Sequence, residues 1–299
     1  MDFIISLSII LLGYIVKKAG LIKESDGEGI SRVVFNITLP AMVINTFSTM
    51  KIDASLFALP VASLLYGLAM TAFALFVFRK ESRKMRGMYS MLVPSFNVGL
   101  FGYPLVEAIW GKEGLKYFGM FDMGNSIIVF GTGYIIASVF SEDNVKIDYK
   151  TVAGRALRSV PFLSYIAALI INVLHISLPK IFIDITEVIA KGNMPLSLLL
   201  LGIYLSFRFE DGYGIKMLKI LAMRYIPGIL TGILLYNILP FSHMFRITML
   251  LGFSLPVSLA VVPYSVQFKY DSRFVGTLNN ATIILSFILM WVTVTLIGV

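Results

Sequence analysis

The chain is 299 residues long, and 58% of its residues are hydrophobic while only 14% are charged. Soluble domains carry about 25% charged residues, so this composition indicates an integral membrane protein. The net charge of +8 would suggest nucleic acid as a partner for a soluble protein. In a membrane protein it raises a different question, namely which loops hold the basic residues, and no nucleic-acid partner is expected. The chain contains no cysteine, which excludes disulfides and cysteine nucleophiles.

Long apolar runs follow one another along the whole chain. They continue for about twenty residues without alternation, which is typical of membrane helices rather than of β-barrel strands. The run nearest the N-terminus has no basic flank before it, so we predict a true span there and not a signal peptide. The sequence thus predicts an all-α fold with ten spans: residues 3–16, 29–50, 56–78, 87–110, 115–140, 160–176, 181–207, 215–239, 245–267 and 274–298.

Basic residues are distributed unevenly between the two sets of alternate loops. Of the 25 Lys and Arg residues, 17 fall in one set, five in the other and three within spans. The positive-inside rule places the richer set in the cytoplasm, which predicts a cell (inner) membrane protein with both termini outside. Among the three span residues, Arg32 and Arg224 are closer to predicted cytoplasmic ends, where their side chains are expected to reach the interface.

The fourth and ninth spans contain unusual residues for a membrane helix. The fourth includes PSFNVGLFGYP (94–104) and the ninth FSLPVSLAVVP (253–263). Proline removes a backbone donor and glycine lowers helix stability, so both spans are predicted to break near the middle of the membrane. Unpaired backbone groups and the dipoles of half-helices can then bind a ligand. The alternative is that these residues only kink the helices, as they commonly do in membranes.

The predicted connector at residues 141–158 separates two halves of five spans, residues 1–140 and 159–299. Because five is odd, the second half would be inverted relative to the first. An offset of 155 residues aligns Pro40 with Pro195 and Asn125 with Asn280. Interrupted spans at matching positions of two inverted halves are the best pointer in a sequence to a transporter binding site.

Four stretches resemble the auxin efflux carrier family, the plant auxin carriers and their bacterial relatives. They are NITLPAMVI (36–44), FNVGLFGYPL (96–105), DMGNSII (122–128) and SLPVSLAVVPYSVQFKYD (254–271). The resemblance implies ten helices in two inverted five-helix repeats, in which helices 4 and 9 unwind and cross. It also implies an elevator motion of a transport domain (spans 3–5 and 8–10) against a scaffold (spans 1, 2, 6 and 7). The implied substrates are organic carboxylates.

The substrate-binding candidates lie mainly in the interrupted spans. By position, Asn97 and Pro104 match the asparagine and proline of the family's first interruption, and Pro256 matches the proline of the second. The Asn97 amide can donate to a carboxylate, and the glycines around it, including Gly99, let a substrate approach the backbone. Ser258 follows Pro256 closely and is included as a candidate. The alternative for Asn97 is a hydrogen bond that only packs helices.

Lys191 is a further substrate-binding candidate because it falls near the middle of the predicted span 181–207. An ammonium group there costs at least ~2.5 kcal/mol on insertion scales unless it is paired or hydrated. Glu187 precedes it by four residues on the same helical face, so an internal ion pair is the alternative. In the next span, Gly228 and Gly232 form a small-xxx-small pattern that indicates helix packing.

Polar residues of the fifth and tenth spans are the candidates for ion coupling. Asp122 and Asn125 lie one turn apart on one face of a helix, and Asn280, with Asn279 beside it, would be the inverted counterpart. Amide and backbone oxygens would suit Na+, whereas a buried carboxylate would suit H+. The alternative for Asp122 is an interfacial position near the outer end of its span.

Catalytic functions have little support in this sequence. There are two histidines without the HExxH spacing of a zinc site, and there is no Walker sequence for ATP. The sequence therefore predicts a secondary transporter of a small organic anion, not an enzyme, with no cofactor beyond a coupling Na+ or H+. Its expected partners are the lipid bilayer and a second copy of the chain in a homodimer. The alternative function is a non-transporting membrane sensor or scaffold that keeps the transporter fold.

Overall fold

The computed structural model describes residues 2–50, 53–141, 154, 159–206 and 212–298, and the predicted connector 141–158 lies almost entirely outside them. All regular structure in the described residues is helical. The first half contains α1 (Asp2–Lys18), α2 (Gly27–Val33), α3 (Leu39–Thr49), α4 (Ala58–Val77), α5 (Arg83–Leu92), α6 (Tyr103–Ser126) and α7 (Gly133–Val139). The second half contains α8 (Val160–Val173), α9 (Lys180–Ala190), α10 (Asn193–Tyr204), α11 (Gly214–Ile238), α12 (His243–Gly252), α13 (Val261–Gln267) and α14 (Ser272–Ile297).

Short π-helical turns interrupt or extend several of these helices. Val34–Thr38 joins α2 to α3, Val98–Gly102 precedes α6, and Ile127–Thr132 joins α6 to α7. Such turns insert an extra residue into a helix and are frequent at functional sites. Helix α6 also breaks at Gly111, whose φ of 58° lies in the left-handed region that favours glycine. The long helical segments are therefore bent at defined residues.

Within the described residues, five helical segments are long and apolar enough to cross a membrane, which agrees with a multi-pass membrane protein. They are Glu24–Ser48, Ser55–Lys80, Val98–Val139, Gly214–Ile238 and Ser272–Ile297. Helix α8 is a shorter apolar helix. The count of ten spans and the inverted repeat stay predictions, because several predicted spans correspond to helices of 10 to 17 residues.

The predicted span 181–207 differs most from a single helix. It is divided into α9 and α10 at Lys191 and Gly192. The fourth and ninth predicted spans leave helical geometry near Pro94 and Pro256, whereas the other prolines and the glycines of the two stretches lie in helical backbone. Helix α5 ends at Leu92 and α12 ends at Gly252, and irregular backbone follows each of them. We call residues 93–97 the first interruption and residues 253–260 the second interruption.

The described residues form two compact units, each built from three segments of the chain. Unit 1 takes its described residues from Met1–Leu56, Val98–Met120 and Leu157–Leu205. Within it, α1 packs against α10, and α3 packs against α8 and α9. The contact of α1 with α10 is close because it is made at glycines. A Cβ atom on Gly202 would lie 2.0 Å from the carbonyl oxygen of Ile10, and one on Gly13 would lie 2.2 Å from that of Leu199.

Unit 2 takes its described residues from Phe57–Asn97, Phe121–Ala156 and Ser206–Val299. Helix α13 packs against α5, α7 and α14, and α11 packs against α12. The predicted small-residue pattern of α11, Gly228 and Gly232, lies where α11 packs against α12 and the residue that follows α12. A Cβ atom on Gly228 would lie 2.5 Å from the carbonyl oxygen of Phe253, and one on Gly232 would lie 3.0 Å from the Cα of Leu250. Both interruptions belong to unit 2.

Candidate functional site

The two interruptions contact each other inside unit 2, and we call the pair of them the junction. The backbone N–H of Asn97 donates to the carbonyl oxygen of Pro256, with 2.9 Å between the two atoms. Both residues are buried. Irregular backbone at membrane depth is tolerated only where protein or a wet cavity surrounds it. One direct hydrogen bond joins the two interruptions, and side chains of neighbouring helices bind other backbone groups of both.

Local sequence explains why each helix stops at the junction. Pro94 comes two residues after the last residue of α5, and Pro256 comes four residues after the last residue of α12. Proline has no N–H to donate and disfavours helical geometry at the preceding residue. The carbonyl groups at these helix ends must therefore find donors elsewhere.

The side chain of Asn125 forms hydrogen bonds with both the backbone N–H and the backbone carbonyl of Phe96, a residue of the first interruption. Its Oδ1 accepts from the N–H of Phe96 at 3.1 Å, and its Nδ2 donates to the carbonyl of Phe96 at 3.0 Å. The same Nδ2 donates to Oδ1 of Asp122 at 2.9 Å. Asn125 and Asp122 are both buried. One amide therefore links the carboxylate of Asp122 to the backbone of the first interruption.

The second interruption is held in a similar way by two side chains of α14. Asn279 Nδ2 donates to the carbonyl of Val257 at 3.1 Å, and Thr282 Oγ1 accepts from the N–H of Val257 at 3.1 Å. Thr282 Oγ1 in turn donates to the carbonyl of Asn279 at 2.8 Å. Phe96 and Val257 therefore have similar hydrogen-bond partners. In each interruption, one residue has both its N–H and its carbonyl bound by buried side chains of a neighbouring helix.

Arg224 of α11 also contacts the junction, through its guanidinium group. Its Nη1 donates to the carbonyls of Leu92 and Val93 at 3.0 and 2.7 Å. Its Nη2 donates to the carbonyls of Leu255 and Pro256 at 2.7 and 2.9 Å. The side chain was expected to reach the membrane interface, and that expectation is wrong: Arg224 is only 1% exposed. Four carbonyls left without helical partners attract the guanidinium into unit 2.

The remaining contacts of the junction are aromatic and hydroxyl groups. The Phe96 ring lies below the guanidinium of Arg224, with 4.5 Å between Cζ and the ring centroid. Tyr66 stacks on Phe253 with centroids 3.8 Å apart. Ser286 donates to the carbonyl of Ser254 at 2.7 Å. Aromatic rings and buried polar side chains therefore surround both interruptions.

Six of the predicted site residues lie in the junction or are linked to it by hydrogen bonds, namely Asn97, Pro256, Ser258, Asp122, Asn125 and Asn279. Asn280 has different partners: its Oδ1 accepts from the N–H of Ser206 at 3.0 Å and its Nδ2 donates to the carbonyl of Gly276. By its contacts, Asn279 and not Asn280 corresponds to Asn125. Ser258 lies in the second interruption, where its Oγ accepts from the N–H of Ala260 at 3.3 Å.

The other three predicted site residues, Gly99, Pro104 and Lys191, belong to unit 1. A Cβ atom on Gly99 would lie 3.2 Å from a ring carbon of Phe35, so the glycine allows a close contact there. Pro104 is the second residue of α6 and follows the π-helical turn Val98–Gly102 without a break in the helical backbone.

Lys191 lies at the break between α9 and α10, and its side chain is 73% exposed. Its Nζ is 3.8 Å from Oε1 of Glu187, which is the ion pair that the sequence offered as an alternative. The break places the lysine at a helix end, because Gly192 and the following residues start a new helix. Lys191 is therefore exposed and paired with Glu187 in the structure, and its role in substrate binding stays a prediction.

Arg224 and Thr282 are the junction residues that the sequence interpretation missed. Arg224 carried a signal, because it lies ten residues inside an apolar span and an arginine there demands a partner. Thr282 carried none, since threonine is common in membrane helices. Among the described residues, no group of three or more His, Cys, Asp or Glu side chains could hold a metal ion.

Comparisons with known proteins also indicate a membrane protein, as the composition does. The profile of a family described as Membrane transport protein matches residues 1–298. A protein of Methanothermobacter thermautotrophicus named "Uncharacterized transporter" is 25% identical over 293 residues, which covers 94% of this chain and 93% of the relative. A second relative, "Uncharacterized transporter MJ1031" of Methanocaldococcus jannaschii, is 21% identical over 287 residues, covering 92% of this chain and 91% of the relative.

Proposed function

The chain belongs to the membrane transport protein family, the auxin efflux carrier family, and on that premise we propose that it is a secondary active transporter of a small organic anion. The family consists of transporters and not enzymes. The substrate class that we propose is a carboxylate, and the coupling ion is H+ or Na+. The observation that carries the proposal is the junction, in which two interrupted helices meet through the Asn97 N–H and the Pro256 carbonyl.

The proposed mechanism is elevator-type alternating access in a fold of two inverted five-helix repeats. Asn125 binds both backbone groups of Phe96, and Asn279 and Thr282 together bind both backbone groups of Val257. This similarity of hydrogen bonding supports the repeat. The division into two compact units supports a mechanism with two bodies. Unit 2 collects most of the spans that the family resemblance assigns to a transport domain, and it contains both interruptions. Residues 98–120 fall in unit 1, where that resemblance would place a part of the transport domain.

Proteoliposomes provide the direct test of this function. We would load them with buffer, offer labelled acetate, benzoate, succinate and citrate in turn, and impose a Na+ or a H+ gradient. Uptake of at least one carboxylate above that of protein-free liposomes is the expected result. If purified, folded protein takes up none of them under either gradient, the proposal is contradicted, and the sensor or scaffold alternative is favoured.

The proposed topology predicts which introduced cysteines an impermeant thiol reagent can reach in intact cells. Lys80→Cys lies in the loops rich in basic residues, which the proposal puts in the cytoplasm, and should stay unlabelled. Glu113→Cys lies in the other set and should react. Both native side chains are exposed and the chain has no cysteine of its own, so the background is low. Labelling at residue 80 but not at residue 113 would contradict the proposed orientation of the termini.

Asn97→Ala tests whether this side chain binds substrate. The variant keeps the backbone N–H that donates to Pro256, but it loses the amide group. If that amide binds a carboxylate, affinity should fall roughly ten- to hundredfold, because a hydrogen bond to a charged group contributes about 1.5–3 kcal/mol. The measurement is the melting temperature with and without the transported carboxylate, since a ligand raises stability only as far as it binds.

Asn237→Ala is a suitable control for Asn97→Ala, because Asn237 is exposed and donates only to the carbonyl of Ile233 in its own helix. The control should keep the full shift of melting temperature on addition of the carboxylate. A lower melting temperature of Asn97→Ala with an unchanged shift would mean that Asn97 braces the junction and does not bind substrate.

Asp122→Asn tests the proposed coupling role of this carboxylate. Asparagine retains an oxygen that can accept from Asn125, so the link to the first interruption survives. A proton, however, can no longer be bound and released at residue 122. The variant should exchange labelled carboxylate across the membrane but should not accumulate it against a gradient. Accumulation equal to that of the unmodified protein would rule out Asp122 as the coupling group.

A further inference from the structure

Arg224 brings a buried positive charge to the junction, and it is balanced by carbonyl groups instead of a carboxylate. Its two Nη atoms donate to four backbone carbonyls. None of the ion pairs formed by the described residues includes it. A charged side chain inside a membrane protein is costly unless it is paired or hydrated, and such residues usually have a function. The partners of Arg224 indicate what that function is.

The guanidinium binds the C-terminal end of α5 and the irregular segment that follows α12. Helix α5 ends at Leu92, whose carbonyl binds Nη1, and the segment after α12 supplies the carbonyls that bind Nη2. The C-terminus of a helix carries about half a negative charge, and the carbonyls of Leu255 and Pro256 add negative potential next to the end of α5. Without Arg224 this negative potential would repel an anion from the junction. The positive charge of the guanidinium opposes it.

The shape of the guanidinium also determines how the interruptions are held. Each Nη atom serves one interruption: Nη1 binds the first and Nη2 binds the segment around Pro256. The group is planar and rigid, so the distance between its two nitrogens is constant and sets the distance between the two backbones. Lysine could not replace it fully, because an ammonium has three donors and no fixed fork.

We propose that Arg224 is the positioning residue of the junction, which holds both interruptions in register and opposes the negative potential of the four carbonyls that it binds, so that an organic carboxylate can bind there. This inference rests on the proposed transport function and adds a residue that sets its anion selectivity. Arg224 acts through the backbone that it binds and needs no contact with the substrate.

Chemical rescue tests the proposal. Arg224→Ala removes the guanidinium and leaves space that free guanidinium ion can enter. Uptake of carboxylate from the panel above should fall about tenfold or more, since several hydrogen bonds to a charged group are lost. The melting temperature should fall as well. Millimolar guanidinium chloride should restore both, whereas tetramethylammonium chloride at the same concentration should restore neither, because it has a charge but no donors.

Arg246→Ala is the matched control. Arg246 is an arginine of α12 in the same unit, but its Nη1 donates to only one carbonyl, that of Tyr236, at 3.2 Å. Its uptake and melting temperature should not respond to guanidinium. The same lack of response in Arg224→Ala, or uptake by that variant equal to that of the unmodified protein, would overturn the proposal.

Two further variants keep the test decisive if Arg224→Ala does not fold. Arg224→Lys retains the charge without the fork, and Arg224→Gln retains donors without the charge. Uptake should decrease in the order arginine, lysine, glutamine, and glutamine performing as well as lysine would overturn the role of the charge. If the unmodified protein takes up no carboxylate, the transport proposal fails by itself, while guanidinium-dependent melting of Arg224→Ala still decides whether Arg224 positions the junction.

Discussion

Asn125→Ala is expected to destabilise unit 2 strongly and to abolish carboxylate uptake. The substitution removes three hydrogen bonds, two of which satisfy the N–H and the carbonyl of Phe96. Each buried backbone group left without a partner costs about 1–3 kcal/mol, and membrane depth offers no water to replace the lost amide. The free energy of unfolding should therefore fall by several times the cost of an ordinary surface substitution. Thermal melting of purified protein measures the loss.

Asn237→Ala is again the matched control, because it exchanges the same residue types on an exposed surface of unit 2. It should melt close to the unmodified protein. Hydrogen exchange provides a second measurement, since the N–H of Phe96 should be protected in the control and should exchange rapidly in Asn125→Ala. Slow exchange at Phe96 in Asn125→Ala would show that another group replaces the amide, and the proposed role of Asn125 would be wrong.

Gly202→Ala is expected to have the largest effect in unit 1. A Cβ atom at this position would lie 2.0 Å from the carbonyl oxygen of Ile10 and 2.9 Å from the backbone nitrogen of Tyr14. Both atoms belong to the backbone of α1, so no side chain can rotate away and the two helices must move apart. Overpacking of this kind costs about 1–3 kcal/mol, and more where the backbone cannot yield. The melting temperature in detergent should fall accordingly.

Gly29→Ala is the control for this second prediction. Gly29 lies in α2 of the same unit, and a Cβ atom there would have no heavy atom within 4 Å. Alanine in a helix is about 0.5–1 kcal/mol more favourable than glycine, so this variant should melt at or above the temperature of the unmodified protein. If Gly202→Ala and Gly29→Ala melt alike, α1 and α10 do not pack as closely as the structure indicates.

The sequence by itself determined the class of protein and the places where two helices are interrupted. Composition and the length of the apolar runs depend on the membrane and not on the fold, so they identify a helical membrane protein directly. The breaks at Pro94 and Pro256 were equally predictable, because proline acts on its own backbone and on the residue before it. The family resemblance rests on the same stretches, and the family match over residues 1–298 confirms it.

Only the tertiary structure decided which side chains act on these interruptions. The partners of Arg224 lie more than 30 and more than 130 residues away in sequence, so no local pattern could assign them. The choice of Asn279 over Asn280 depends on which face of α14 meets the second interruption, and neighbouring residues of a helix point about 100° apart. The surroundings of Lys191 were also decided by the tertiary structure: the apolar run predicted one continuous span, but the chain divides into two helices at Lys191 and Gly192, and the lysine side chain is exposed.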